Sequence, residues 1–407
     1  MKNKIFSIGY LAHMKLNVCK LGIFAAALAA GALLCHAESS DSEIWNLDGL
    51  YRVPKVFSAE KYAEYQVPGV RTLLYESVPC RGKLTKVFAY YSAPSGPVPS
   101  GGWPAVVLVH GGGGTAYSDY VKKWNSWGYA AISMDRYGKL PLLKLALKDR
   151  PDIEDGWRSG EDASPREDSW HYHSVAQIVL AHSLIRSFPE VNPEKIGVVG
   201  ASWGGVHASI AAVVDGRFKF AAMVYSSIFE WMSPPQWWDP GRFIPSIRIP
   251  TLWVKGTTDT NFPSKYWQRA VNICGGKPIS SLVVGLGHGD NGQLYPINRR
   301  FADSIIKGGA SLPKVARIGC RGNLVSAYVD SVRPILKAEL CYTCDATPDP
   351  KQVWKTAPAS INCKEVSAEL PDGATFFFIN VFDEPTVAGE QEWPSSSEYL
   401  PGESVKN

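Results

Sequence analysis

Ser202 stands between Gly200 and Gly204 in the stretch IGVVGASWGGVHASIAAVV (196–214), where an apolar run breaks at glycines and resumes with helical spacing. A serine at the tip of so sharp a strand-to-helix turn is exposed, and the new helix offers its free N–H groups beside it. The turn is crowded, so only glycine or alanine fits two residues to either side. A helix N-cap would also favour serine, but the position between an apolar strand and a helix selects the nucleophile reading. A hydroxyl attacks only when a base takes its proton, and histidine is matched to that task at neutral pH. In turns of this kind the chain order is serine, acid, histidine. Beyond Ser202 the histidines are His207, five residues into the same helix, and His288 in GLGHGDNG. His207 is too near along the chain to turn back, which leaves His288 as the base.

The orienting acid must come from Asp215, Glu230, Asp239 or Asp259. Asp215 closes the helix that Ser202 opens, where a surface position is expected, and Glu230 and Asp239 fall in an irregular stretch. Asp259, in LWVKGTTDTNFPS, follows an apolar strand by three residues and is the choice; capping of the next helix is its competing role. An oxyanion would need aimed N–H donors. Trp203 follows the nucleophile, and the glycines of HGGGGT (110–115) let a backbone approach without a Cβ. Gly112 is the expected second donor, with Gly113 the near alternative. Chemistry of this type requires no metal and no organic cofactor, so none is expected.

These groups must be carried by elements that alternate. AVVLVH (105–110), YAAISMD (129–135), KIGVVG (195–200), FAAMVYS (220–226), TLWVKG (251–256) and SLVVGLG (281–287) read as strands. Residues 116–127, 170–187, 203–214, 263–273 and 293–307 read as helices between them. Continuous apolar strands separated by helices imply an α/β doubly wound, mostly parallel sheet, with reactive groups at the strand carboxyl ends. Two stretches, 136–168 and 228–248, interrupt the alternation and are expected to shape a substrate site. Trp231, Trp237 and Trp238, in the second insertion, are candidates for stacking on sugar rings, and Trp170, at a helix start, is a candidate lining of an acyl or sugar pocket, although aromatic core packing competes with both roles. From residue 312 to 407 the pattern is β-like with no helical spacing, a small β-sandwich-like domain with a polar tail.

The first 37 residues have the layout of a secretory signal: basic residues, an apolar run too short to span a bilayer, and small residues near Ala37. Export to the periplasm or beyond is therefore expected, with the hydrolytic domain occupying 38–311. The four lysines of residues 1–37 account for the whole net charge of +4, so the mature chain is neutral. No basic tract interleaved with aromatics remains, which removes nucleic acid as an expected partner, and no other long apolar segment suggests stable membrane insertion. Six cysteines remain beyond the signal, an even number that favours disulfides in an oxidising compartment. The spacing of Cys320, Cys341, Cys344 and Cys363 lacks the second close pair of a zinc site.

Together HGGGGT, GASWGG, GTTD and GHG resemble the α/β-hydrolase superfamily in order and spacing, across roughly Leu84–Gly308. Within it the chain is similar to bacterial exported hydrolases of the acetyl-xylan-esterase-like and dienelactone-hydrolase-like groups. Dienelactone hydrolases use a cysteine nucleophile, whereas this chain has Ser202. The resemblance implies a serine carboxylic-ester hydrolase working through an acyl-enzyme on a small-molecule or polysaccharide ester, acetyl xylan being the substrate class it suggests. The alternatives are a prolyl-oligopeptidase-like peptidase and a non-catalytic glycan- or protein-binding surface protein. The first normally carries a propeller domain for which the residues ahead of Leu84 are too few; the second does not explain a full set of reactive groups.

Overall fold

Fully apolar segments form the centre of the molecule. In a computed structural model that describes residues 44–141, 165–289, 291–346, 351–384 and 391–402, β4 (Trp103–Val109), β5 (Ala130–Met134), β6 (Val191–Ala201), β7 (Ala221–Val224) and β8 (Thr251–Gly256) carry almost only buried residues toward their carboxyl ends. The expected signal peptide and residues 142–164 of the first insertion lie outside the described residues. With β9 (Pro278–Val283) these strands pair in parallel. An antiparallel edge precedes them, made of β1 (Val56–Ser58), β2 (Arg71–Cys80) and β3 (Lys83–Ser92). The order across the sheet is β1-β2-β3-β5-β4-β6-β7-β8-β9. A sheet buried on both faces needs no polar alternation, which is why these strands are legible as continuous runs.

Helices cover both faces. After the one-turn α1 (Leu47–Leu50) come α2 (Ser118–Ser126), α3 (Trp170–Ile185), α4 (Trp203–Val214), α5 (Ser264–Ile273) and α6 (Pro296–Ile306). Every residue of α3 is buried, in keeping with its apolar residues all round the helix. Its N-cap Ser169 accepts a hydrogen bond from the Tyr172 N–H at 3.2 Å. The main core joins Val106, Leu108, Ala131, Val199, Leu252 and Val254 of the sheet to Trp124, Phe220 and Phe301.

Beyond Leu312 the described elements are all strands. β10 (Lys314–Arg321), β11 (Leu324–Asp330), β15 (Glu365–Glu369) and β14 (Ser360–Asn362) form one antiparallel sheet; β12 (Lys337–Thr343), β13 (Lys355–Pro358), β16 (Phe376–Phe382) and β17 (Ser395–Ser396) belong to another. Val325, Val329 and Val366 of the first share a core with Leu340, Phe377 and Ile379 of the second. Ser396 binds this pair of sheets to β9: its Oγ accepts the Leu282 N–H at 2.7 Å, and its carbonyl accepts Ser280 Oγ–H at 2.8 Å.

Two expectations need correction. No disulfide joins any of the six cysteines beyond residue 37. Cys341 lies in the core whereas Cys344 and Cys363 are at the surface, so their closeness in sequence is spent on opposite environments. Asp215 is not a surface residue either. Its buried carboxylate pairs with Arg217 Nε at 2.8 Å and with His182 Nδ1 at 2.8 Å, tying the end of α4 to α3. Burial alone would raise this carboxyl, but the hydrogen bonds from Arg217 and His182 outweigh it and hold it well below the usual range.

Asp215→Ala would leave a buried histidine and a half-buried guanidinium without their carboxylate. It should cost about 3 kcal/mol in urea unfolding at neutral pH. A carboxyl depressed on folding contributes stability above its unfolded value and loses it as pH falls through the lower folded value. The deficit of the variant should therefore shrink below about pH 4.

Candidate active site

Ser202 sits where β6 becomes α4, with φ 57° and ψ −128°. A left-handed φ on a serine costs about 1–3 kcal/mol and persists only where packing over-determines it. The packing is evident at the glycines. A Cβ on Gly204 would lie 2.1 Å from the Val109 carbonyl oxygen, and one on Gly200 would lie 2.2 Å from that of Gly204. The helix thus begins in backbone contact with the end of β4, and the Ser202 N–H is anchored to the Val224 carbonyl at 2.7 Å.

The glycine loop after β4 lies against the same turn. A Cβ on Gly111 would come 3.0 Å from Ser202 Cβ, and one on Gly112 would come 2.9 Å from Trp203 Cδ1. Gly113 has φ 69°, and its N–H donates to the Tyr137 hydroxyl at 3.2 Å. Tyr137 in turn stacks on Trp170 at 5.5 Å with 9° between the rings.

His288 and Asp259 arrive from the loops after β9 and β8. The His288 Nδ1 and Asp259 Oδ1 are 3.0 Å apart. Asp259 Oδ1 also accepts the Asn261 N–H at 2.9 Å, and its Oδ2 is 3.2 Å from the Nζ of Lys255, a fully buried residue. Burial pushes this carboxyl up, but the His288 hydrogen bond and the Lys255 ammonium prevail and keep it below its ordinary value. Burial lowers Lys255 in turn, against the pull of Asp259. The imidazole packs over the Tyr225 ring at 4.8 Å. Ser202, Trp203, Gly111–Gly114, His288, Phe229, Phe262 and Asn261 border one cavity of about 620 Å³. Among the described residues no hydrogen bond joins the Ser202 hydroxyl to His288.

The other candidates fall elsewhere. His207 is buried behind the turn, within 2.6 Å of Arg136 Nη1, 2.9 Å of Ser174 Oγ and 3.0 Å of His171 Nδ1. Burial, reinforced by Arg136, drives both histidines well below the ordinary value and keeps them neutral. Glu230 pairs with Arg269 at the surface, and Asp239 accepts the N–H groups of Phe229 and Gly241. Trp170 and Trp238 do not line the cavity: both are buried, Trp238 stacking on His171 at 3.9 Å. Trp237 is half-buried and packs behind Phe229. The insertion therefore meets the cavity through Phe229, with the buried Trp238 packed behind it as a support, while Trp231 is 41% exposed.

Sequence reasoning passed over Lys255, Arg136, Tyr137 and Phe229. Lys255 had a signal, a lone charge inside the apolar strand TLWVKG and four residues ahead of Asp259.

Residues 88–271 match the Dienelactone hydrolase family model. Those residues, just under half of the chain, form a dienelactone hydrolase family domain. An acetyl xylan esterase from Paenibacillus sp. R4 is similar in fold, with TM-score 0.50 and 18% identity over 66% of this chain and 94% of that one. Acetyl xylan esterase 1 from Thermoanaerobacterium sp. JW/SL YS485 aligns with TM-score 0.47 and 16% identity, covering 62% of this chain and 89% of that one. No curated protein matches the chain. The domain holds the glycine loop, Ser202 and Asp259 within the matched residues, while His288 lies just beyond them.

Gly204→Ala would drive a methyl group into the Val109 carbonyl of the domain, and should lower stability by more than about 2 kcal/mol in thermal or urea unfolding. Trp238→Ala should cost about 3–5 kcal/mol as a core truncation; loss of polysaccharide affinity at unchanged stability would return it to the substrate.

Proposed function

We propose that this protein, whose residues 88–271 match the Dienelactone hydrolase family model, is an exported serine carboxylic-ester hydrolase with Ser202 as nucleophile, His288 as general base and Asp259 as its orienting acid. The observation that carries the reading is the meeting of a strained, glycine-walled serine and an Asp259-bound imidazole on one cavity. Asp259 on Nδ1 leaves Nε2 to accept the hydroxyl proton, a contact that in such sites commonly tightens only once substrate is bound.

Ser202 Oγ bonds to the acyl carbon as His288 takes its proton, and the carbonyl oxygen becomes the oxyanion. The Trp203 and Gly112 N–H groups receive it, whereas the Gly113 N–H already serves Tyr137. Each such donor lowers the barrier by about 3 kcal/mol. The imidazolium returns its proton to the leaving alcohol; water, deprotonated by His288, then cleaves the acyl-enzyme and releases the acid. Lys255 keeps Asp259 charged in a buried place, so the carboxylate can stabilise the imidazolium.

Support for an acetylated polysaccharide as substrate comes from the resemblance and from the acetyl xylan esterase of similar fold. The apolar wall of Phe229 and Phe262 faces a short acyl group without a charged anchor. Export rests on residues 1–37.

Ser202→Ala should abolish hydrolysis of p-nitrophenyl acetate and of acetylated xylan with an essentially unchanged Tm, and should prevent labelling by an organophosphonate. Turnover retained by the variant removes Ser202 from the role. Activity on short acyl esters without release of acetate from xylan would keep the mechanism and discard the polysaccharide.

A further inference from the structure

A second set of chemistry-bearing side chains meets outside the Ser202 cavity. Cys80 closes β2, Asp168 ends the short turn that leads into α3, and His173 lies in the first turn of that helix. One donor atom from each, the thiol sulfur, a carboxylate oxygen and a ring nitrogen, lies within 4.8 Å of the other two. Cys80 and His173 are buried, and Asp168 is half-buried. From these residues we propose that the protein binds a zinc ion between the β2 end and the start of α3.

The donor set selects the ion. A thiolate and an imidazole favour a borderline-soft metal over calcium or magnesium, which take oxygen ligands. Charge favours it too. Thiolate and carboxylate cancel the two positive charges of the ion, so a neutral centre occupies the buried place where a lone charge would be costly. Ligands of tetrahedral zinc stand roughly 3.5 Å apart, given bonds of about 2.0–2.3 Å. Closing from 4.8 Å or less to that spacing is the adjustment that zinc would require of the three donors. Three protein ligands leave a fourth position for water on the half-buried Asp168 side.

The surrounding chain orients the carboxylate as an outer shell does. The Arg81 N–H donates to Asp168 Oδ1 at 2.5 Å, leaving the second oxygen for the metal. Arg81 and Gly82, at φ 50° and 74°, make the tight turn that brings this N–H round. Ser169 then fixes the helix start that carries His173. Cys80 also packs in one apolar cluster with Tyr137 and Trp170, against which Trp203 lies. Zinc would brace the layer beneath the glycine loop, a positioning role separate from acyl transfer.

The full chain, stripped with a chelator, should bind about one Zn²⁺ per molecule by calorimetry, and Zn²⁺ should raise its Tm with increasing concentration. Cobalt in its place should give a thiolate-to-metal absorption band that disappears in Cys80→Ser. Cys80→Ser and His173→Gln should bind zinc at least about 10-fold more weakly. Should the buried variants fail to fold, Asp168→Asn and the Zn²⁺-dependent Tm of the parent protein decide the matter. No saturable binding by the stripped protein, no Tm response, or a cobalt–thiolate band that survives Cys80→Ser overturns the proposal.

Discussion

The backbone contact between Gly204 and the carbonyl of Val109 is the constraint on which the reactive groups depend. It draws the first turn of α4 against the end of β4, so that Ser202 is forced into a left-handed conformation and the glycine loop crosses directly over it. A methyl group at either elbow glycine, or at Gly111 or Gly112, would intrude on a neighbour. The run of glycines in the sequence is therefore a record of backbone packing against backbone and side chain. Strain of about 1–3 kcal/mol at the serine is tolerable because the parallel sheet on which it is mounted is buried on both faces.

Behind that turn, charge is handled in two separate buried groups. Asp259 stands between an imidazole and an ammonium, and both push its carboxyl down against the effect of burial. Arg136, by contrast, faces His207 and Ser174 and helps keep two histidines neutral. The first group faces the cavity and the second lies under Trp203, so the residue after Ser202 rests on a stack of uncharged rings. Trp238 completes that stack. A tryptophan that closes an aromatic layer from behind offers no face to a sugar ring, which is why Trp238 supports the cavity and Phe229 borders it.

The carboxyl-terminal sheets are joined to the hydrolase sheet by buried polar contacts as well as by apolar area. Ser396 satisfies the backbone of β9, Asn380 Nδ2 donates to the Leu282 carbonyl at 3.2 Å, and Asp383 meets Arg300 of α6 at 2.7 Å. The described residues from Leu47 to Gly402 belong to one compact unit. At residue 312 the architecture changes from a mostly parallel sheet to antiparallel sheets, with hydrogen bonds running across the change.

Periodicity by itself determined the alternating strands and helices of the hydrolase sheet, since a strand buried on both faces is largely apolar, and the elbow glycines placed Ser202 at one of its turns. The edge hairpin of β2 and β3 escaped that reading because its strands mix buried and exposed positions. Partners across the chain were decided only by folding. The pairing of Asp259 with His288, with Lys255 behind it, joins segments 29 residues apart on neighbouring loops. Asp215 looked like a helix end and became a buried ion pair, because His182 lies opposite it on α3. Cys80, Asp168 and His173 carry no spacing motif at all. Local pattern reports which face of the chain meets the core, whereas the identity of a neighbour depends on where distant strands end, and that is set by the packing of the whole sheet.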